Sequence, residues 1–220
     1  PHSDLAGQLV PGYDFIGDID TAVDGDGRDA DPNDPGDWHD GECNFFGIPE
    51  DSSWHGTHVA GTIAALTDNG AGVAGVAPNA KVLPVRALGK CGGFISDIVD
   101  GITWSSGGTV AGVPANANPA EVINMSLGGG GSCGVALQSA IDAAVARGST
   151  IVVAAGNSGA DAATEQPASC NNVINVSAVG PTGARASYSN FGPLVDVAGP
   201  GGTSAAPATD NVLSTLNLGT

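Results

Sequence analysis

Short apolar runs alternate with segments of helical periodicity along most of the chain. Strands are predicted at 81–88, 122–127, 150–155 and 173–179. Helices are predicted at 54–66, 96–105 and 135–147, the last ending at Gly148. Strands that are apolar on both faces and alternate with helices are typical of a parallel sheet covered on both sides. We therefore expect an α/β fold of three layers around a mainly parallel sheet.

The segment 14–51 breaks this pattern. It is rich in Asp, Gly and Pro, shows little periodicity, and is predicted to be a long loop. Because no shift of composition marks a second domain, residues 1–220 are interpreted as one domain with an acidic insertion.

The net charge of the chain argues against certain classes of binding partner. The 220 residues include 6 Lys and Arg against 23 Asp and Glu, which gives a net charge of −17. Such a chain repels phosphate backbones and anionic lipid, which argues against nucleic-acid and membrane-surface partners. No uncharged apolar stretch reaches the roughly 18 residues that indicate a membrane span. The chain starts without Met or a signal-peptide pattern, which indicates processing or a partial sequence.

Four widely spaced cysteines carry no C-x-x-C pair, which disfavours a zinc or thioredoxin-like site. In an acidic, Lys-poor chain an even number of cysteines favours two disulfides and an exported protein. Four buried free thiols are the alternative. Three disulfide connectivities are compatible with the sequence.

Alternate carboxylates in the acidic segment form a candidate calcium loop, namely Asp24, Asp26, Asp29 and Asp31. Carboxylates interleaved with glycines can wrap a hard cation, although the bidentate Glu of an EF-hand is missing. Eight aspartates between residues 18 and 37 would repel one another without a counter-ion, which favours calcium over a solvated acidic loop.

Two histidines, His55 and His58, lie three residues apart at the start of the predicted helix 54–66. A metal site would need a further ligand, and the H-E-x-x-H pattern is absent. His55 is a candidate general base, whereas His58 is interpreted as structural.

The segment HGTHVAGTIAA at 55–65 resembles the histidine motif of the subtilisin-like serine proteases, or subtilases. Further segments resemble that family in its own order: 85–88 with 92–93, 123–128, 153–157, 187–192 and 195–201. The resemblance covers essentially the whole chain. The acidic insertion and the four cysteines are most similar to secreted bacterial subtilases of the Dichelobacter and Xanthomonas type.

The resemblance implies a serine endopeptidase mechanism acting on polypeptides. His55 would accept the proton of a serine nucleophile, and the side-chain amide of Asn157 would donate to the oxyanion. Extended substrate would add as a strand between two segments, Gly92 with Gly93 and Ser126 with Leu127 and Gly128. The pocket for the side chain on the amino side of the scissile bond (P1) would be lined by Ala154, Ala155 and Gly156.

The other two triad members are not assigned within the chain. Asp20 imitates the family's Asp-Thr/Ser-Gly motif but lies in a run of acids, which predicts exposure to solvent or a cation. Ser204 lies 47 residues after Asn157, against roughly 66 in subtilisin, and its motif lacks one residue before Pro207. Residues 212–216 resemble a strand that precedes the nucleophile. We expect the triad Asp before Pro1 and the Ser after Thr220, so the sheet is incomplete at both ends and the 220-residue chain alone is inactive.

The family layout also implies the disulfides Cys43–Cys91 and Cys133–Cys170, and we expect a secreted, calcium-stabilised monomer. Two other classes remain as alternatives. One is a non-catalytic calcium- or peptide-binding module on the same fold, and the other is a metallohydrolase that uses His55, His58 and Asp carboxylates.

Overall fold

Short strands joined by helices and long connections make up the computed structural model, which describes residues 2–203 and 210–217. The strands are β1 (Tyr13–Asp14), β2 (Val85–Arg86), β3 (Val122–Met125), β4 (Gly129–Gly130), β5 (Thr150–Ala154), β6 (Glu165–Gln166), β7 (Ile174–Val179) and β8 (Val197–Pro200). The helices are α1 (Ile19–Ala22), α2 (His55–Ala64), α3 (Ile95–Ser105) and α4 (Val135–Ala146), with 3₁₀ turns at Ser3–Leu5 and Ala162–Thr164.

The main sheet is parallel throughout, in the order β3-β5-β7-β8. On β5, Ile151 and Val153 are almost fully buried, and α4 packs on this strand through an apolar face that includes Leu137 and Ile141. Burial of aliphatic side chains from a parallel strand and its covering helix is the main stabilising contribution here. The predicted α/β class with a mainly parallel sheet is confirmed.

Two further two-stranded sheets are present among the described residues. β1 pairs with β2 in parallel, and β4 pairs with β6 antiparallel. The sequence analysis did not predict β1, β4, β6 or β8, because the first three have only two residues each and the four residues of β8 include a Gly and a Pro. Of the predicted strand 81–88, only Val85–Arg86 is assigned as a strand.

The segment 212–216 does not form the strand that the resemblance suggested. Instead, the hydroxyls of Ser214 and Thr215 donate hydrogen bonds to the carbonyls of His58 and Thr57, at 2.6 and 2.7 Å. Gly61 permits this approach, since a Cβ there would lie 2.1 Å from the Thr215 hydroxyl. The segment therefore contacts helix α2 through its side chains instead of pairing with a strand.

The acidic segment has β1 and α1 at its start and no helix or strand from Val23 to Trp54. Two arginines form ion pairs between this segment and residues that are distant in the sequence. The Arg86 guanidinium pairs with Asp14 and Asp24, and Arg28 pairs with Asp97 and Asp100, both at 2.6 Å. The predicted long loop is thus tied to β2 and α3 by internal cations.

The described residues fall into two compact units. The first lies within Pro1–Gly101, Val110–Pro114 and Leu213–Thr220, and the second within Ile102–Thr109 and Ala115–Val212. The interpretation of residues 1–220 as one domain stays a prediction. In the part of the chain that the structure describes, none of the helices has the length and apolar character of a membrane span.

Candidate active site

His55 is the first residue of α2 in the first unit, and its side chain is exposed. Trp54, just before it, adopts a left-handed backbone conformation (φ 49°) that turns the chain into the helix. The His55 amide donates to the Ser53 hydroxyl at 3.3 Å, and Ser53 in turn donates from both its amide and its hydroxyl to Asp37 at 2.6 Å. The acidic segment thus fixes the entry of the histidine helix.

Desolvation by the surrounding protein lowers the pKa of His55 below its ordinary value, and the neighbouring His58 lowers it further, while Asp37 opposes both effects. A lowered pKa keeps the imidazole neutral to a more acidic pH, which is the form that a general base requires.

We expect His55 to titrate below the ordinary histidine pKa of about 6.5. As the pH falls from that value through the folded-state pKa, the unfolded chain binds the proton more readily, so the histidine makes folding less favourable there. Replacing His58 by Asn removes the electrostatic effect of His58 that lowers the His55 pKa, so the His55 pKa should rise. Proton NMR titration of the imidazole resonances measures both values, and a pKa above 6.5 in the unmodified protein contradicts the expectation.

Asn157 lies in the second unit, three residues after the end of β5, and is exposed. Its side-chain amide has no hydrogen-bond partner among the described residues. Gly156 precedes it with φ 108°, a conformation that favours glycine. The turn therefore presents an unoccupied amide donor at the carboxyl end of a central strand.

Asn190 holds this turn and was missed as a site residue by the sequence analysis. It is fully buried, and its Nδ2 donates to the Ala155 carbonyl at 2.9 Å. Its Oδ1 accepts from the amides of Ser158 and Ala160 at 2.9 and 3.0 Å, and its own amide donates to the Gly156 carbonyl at 3.0 Å. The only sequence signal was its place in the motif 187–192, which does not reveal burial.

Replacing Asn190 by Ala should destabilise the protein by about 1–3 kcal/mol, because the carbonyl and the two amides it serves lose their partner. Turnover should fall with it, since the Asn157 turn is no longer fixed. Urea denaturation and peptide kinetics measure the two effects. Asn118→Ala, at an exposed asparagine of the same unit, is the control, and equal effects of the two variants would contradict this role.

The structure brings together two of the predicted substrate segments within the second unit. Met125, the last residue of β3, is in register with Val153 of β5, so Ser126–Gly128 and Ala154–Gly156 leave adjacent strands at the same edge of the sheet. Ala154 and Gly156 are partly exposed, but the Ala155 side chain is buried in a small core cluster with Ala162 and Ala168. Ala155 therefore packs in the core and does not offer its side chain to a pocket.

The other predicted substrate residues, Gly92 and Gly93, lie in the first unit. Gly89 and Gly92 exchange two backbone hydrogen bonds across a tight turn, in which Cys91 has φ 62°. Gly93 lies so close to the Ala87 carbonyl that a Cβ would be 2.3 Å from its oxygen. The tight turn at Gly92 and the close backbone approach at Gly93 thus each explain why a glycine is present, without a bound substrate.

The four predicted calcium ligands do not form a common site. Asp24 accepts a hydrogen bond from Arg86 at 2.8 Å, while Asp29 and Asp31 accept from backbone amides two residues further on. Asp26 contributes only its amide, to Asp24. Among the residues that the structure describes, no group of three or more His, Cys, Asp or Glu could hold a metal ion. Arg28 and Arg86 supply part of the counter-charge that the sequence analysis attributed to calcium, and calcium binding itself stays a prediction.

Both disulfides link loops within one unit. Cys43 is bonded to Cys91 and Cys133 to Cys170, with Cα–Cα distances of 4.9 and 5.0 Å, and these are the pairs that the family layout implied. Asp20, rejected above as the triad carboxylate, is exposed in α1. Ser204 lies outside the described residues.

The family model described as the subtilase family matches residues 2–220. The chain belongs to the subtilase family. An extracellular protease of Xanthomonas campestris pv. campestris is 59% identical over 220 residues, which is 100% of this subtilase chain and 37% of that protein. An extracellular basic protease of Dichelobacter nodosus is 53% identical over 223 residues, which is 99% of this chain and 36% of that protein.

A solved structure supports the same assignment. Proteases from Pseudoalteromonas arctica are represented by a structure with a TM-score of 0.96 and 57% identity, over 100% of this subtilase chain and 65% of that chain. The resemblance to subtilases of the Xanthomonas and Dichelobacter type is confirmed. The subtilase chain nevertheless spans only 37% and 36% of the length of the two curated relatives.

Proposed function

We propose that this subtilase chain provides the general base and the oxyanion donor of a secreted serine endopeptidase. The observation that carries the proposal is the exposed amide of Asn157 beside the Ser126–Gly128 segment, on a turn that the buried Asn190 fixes. A fixed donor needs no reorganisation when negative charge develops on a carbonyl oxygen, and this pre-organisation is a major source of catalysis.

In the proposed reaction, His55 removes the proton of a serine hydroxyl as that oxygen attacks the scissile carbonyl. Asn157 Nδ2 donates to the resulting oxyanion, and His55 then returns the proton to the leaving amine. The lowered pKa of His55 keeps the imidazole neutral at neutral pH, which is the form that can accept the serine proton. The serine and the triad carboxylate are expected in the longer protein, and Ser204 and Asp20 are not assigned these roles.

Inhibitor classes separate this proposal from its alternatives. The secreted product of the complete gene should cleave a peptide amide, and an organophosphorus reagent should abolish cleavage by covalent attachment to one serine outside residues 1–220. The purified 220-residue chain should cleave nothing. If a zinc chelator abolishes cleavage and the organophosphorus reagent labels no serine, a metallohydrolase is favoured. If the protein binds peptide tightly but does not cleave it, a binding module is favoured.

Extracellular location, polypeptide substrates and a monomeric state are part of the same proposal. The first is supported by the names of the Xanthomonas and Dichelobacter relatives. Structural calcium is proposed only from the charge of the acidic segment, without assigned ligands. Calorimetry that finds no heat of calcium binding would contradict it.

A further inference from the structure

The carboxylate of Glu165 lies beside both segments that leave the sheet edge at the proposed P1 pocket. Glu165 begins β6, which pairs with β4 so that Glu165 is opposite Gly130 and Gln166 opposite Gly129. A Cβ added to Gly156 would lie 3.2 Å from Glu165 Cγ, and the Ser158 hydroxyl donates to Glu165 Oε1 at 3.0 Å. The carboxylate therefore adjoins the Asn157 turn, and its strand is hydrogen-bonded to the one that follows Ser126–Gly128.

The ladder opposite Glu165 is open. Gly129 and Gly130 have no side chains, and a Cβ added at either would meet no atom within 4 Å. Gly128 lies close to the backbone of β6, since its added Cβ would be 3.3 Å from the Gln166 carbonyl oxygen. The strands thus approach closely at Gly128 and leave unfilled space beside Gly129 and Gly130.

No cation of the chain neutralises Glu165. All 6 Lys and Arg lie in the described ranges 2–203 and 210–217, and none of their ion pairs involves this residue. The residue is partly buried, and its one side-chain hydrogen bond comes from the neutral Ser158 hydroxyl. A partly desolvated carboxylate with free lone pairs binds an ammonium or guanidinium group more strongly than a fully solvated one does.

We propose that Glu165 makes this subtilase prefer polypeptides with Lys or Arg at P1. This inference rests on the proposed endopeptidase function and adds the substrate class to it. The cationic end of the P1 side chain would take the place of the missing counter-ion, while its aliphatic stem lies along the glycine-lined space. The net charge of −17 also raises the local concentration of cationic substrates, but it does so without regard to P1.

The test compares kcat/KM for peptides that differ only at P1, with Arg, Lys, Gln and Leu, in the secreted full-length product. The variant is Glu165→Gln, which keeps the shape of the side chain, the backbone hydrogen bond of Ser169 to residue 165 and an acceptor for Ser158. The control is Glu121→Gln, which removes the same charge at the exposed residue preceding β3, at the opposite end of that strand from Ser126.

The unmodified protein should prefer Arg and Lys over Gln and Leu by roughly 10- to 100-fold, which matches one charge-assisted contact. Glu165→Gln should remove most of this preference and leave cleavage after Gln and Leu within about threefold, whereas Glu121→Gln should keep the preference. The inference is overturned if Glu165→Gln keeps the preference, or if the unmodified protein shows none. In either case the endopeptidase proposal stands as long as the organophosphorus reagent abolishes cleavage. Failure to cleave any of the four peptides overturns both.

Discussion

Replacing Asn157 by Ala is expected to lower kcat by about 10²–10³-fold with little change in KM. The amide has no competing partner among the described residues, and its turn is held by the buried Asn190, so its position is set before substrate binds. A donor that acts only on the oxyanion stabilises the transition state and not bound substrate, which is why the effect should fall on kcat.

Steady-state kinetics on one peptide amide measure this split. Asn118→Ala, which removes an exposed asparagine from the same unit, should leave both constants unchanged. A raised KM with an unchanged kcat would place Asn157 in substrate binding and contradict its role as an oxyanion donor.

Replacing Arg86 by Met is expected to destabilise the protein by about 3–5 kcal/mol at neutral pH, since it removes one partner of a buried ion pair. Arg86 and Asp14 are 6% and 0% exposed, and the guanidinium also binds Asp24 and the Ala22 carbonyl. Burial raises the pKa of Asp14, and hydrogen bonds from the Ile16 amide and Arg86 only partly oppose this. Without the guanidinium the Asp14 pKa must rise further.

The pH dependence tests the cause. Because a carboxyl with a raised folded-state pKa destabilises the fold when ionised, the loss in Arg86→Met should shrink as the pH falls and Asp14 becomes protonated. Adding Asp14→Asn to the variant should recover part of the loss at neutral pH. Arg28→Met should cost less than Arg86→Met, because the Arg28 side chain is 27% exposed and one of its two partners, Asp100, is 33% exposed, so water partly solvates the charges that remain. Equal losses in the two arginine variants, measured by urea denaturation, would contradict the account.

Local patterns predicted the long elements and not the distant pairs. Helices α2, α3 and α4 and strands β3, β5 and β7 follow from periodicity because each is long enough to show a period or an apolar run. The pairing of Asp14 with Arg86 joins positions 72 residues apart, and no local pattern records it. The sequence analysis therefore did not foresee that Arg86 supplies counter-charge to the acidic segment, while calcium binding stays a prediction.

The candidate site likewise contains some residues that the sequence could identify and others that only the structure reveals. His55 and Asn157 could be named because they lie in motifs that resemble a known family. The burial of Asn190 and of the Ala155 side chain depends on tertiary packing, so neither was visible in the sequence. Residues 212–216 have the composition of a strand, yet their hydroxyls bind α2, which is a tertiary override of local preference.

The most direct test of the central claim is kcat/KM for a peptide amide in the secreted full-length product carrying His55→Ala. Loss of a triad histidine typically lowers turnover by about 10⁶-fold. We predict a loss of at least about 10⁴-fold in this variant, with His58→Asn, which the proposed mechanism does not use, within about tenfold of the unmodified protein. Retention of more than a tenth of the activity by His55→Ala would contradict the account.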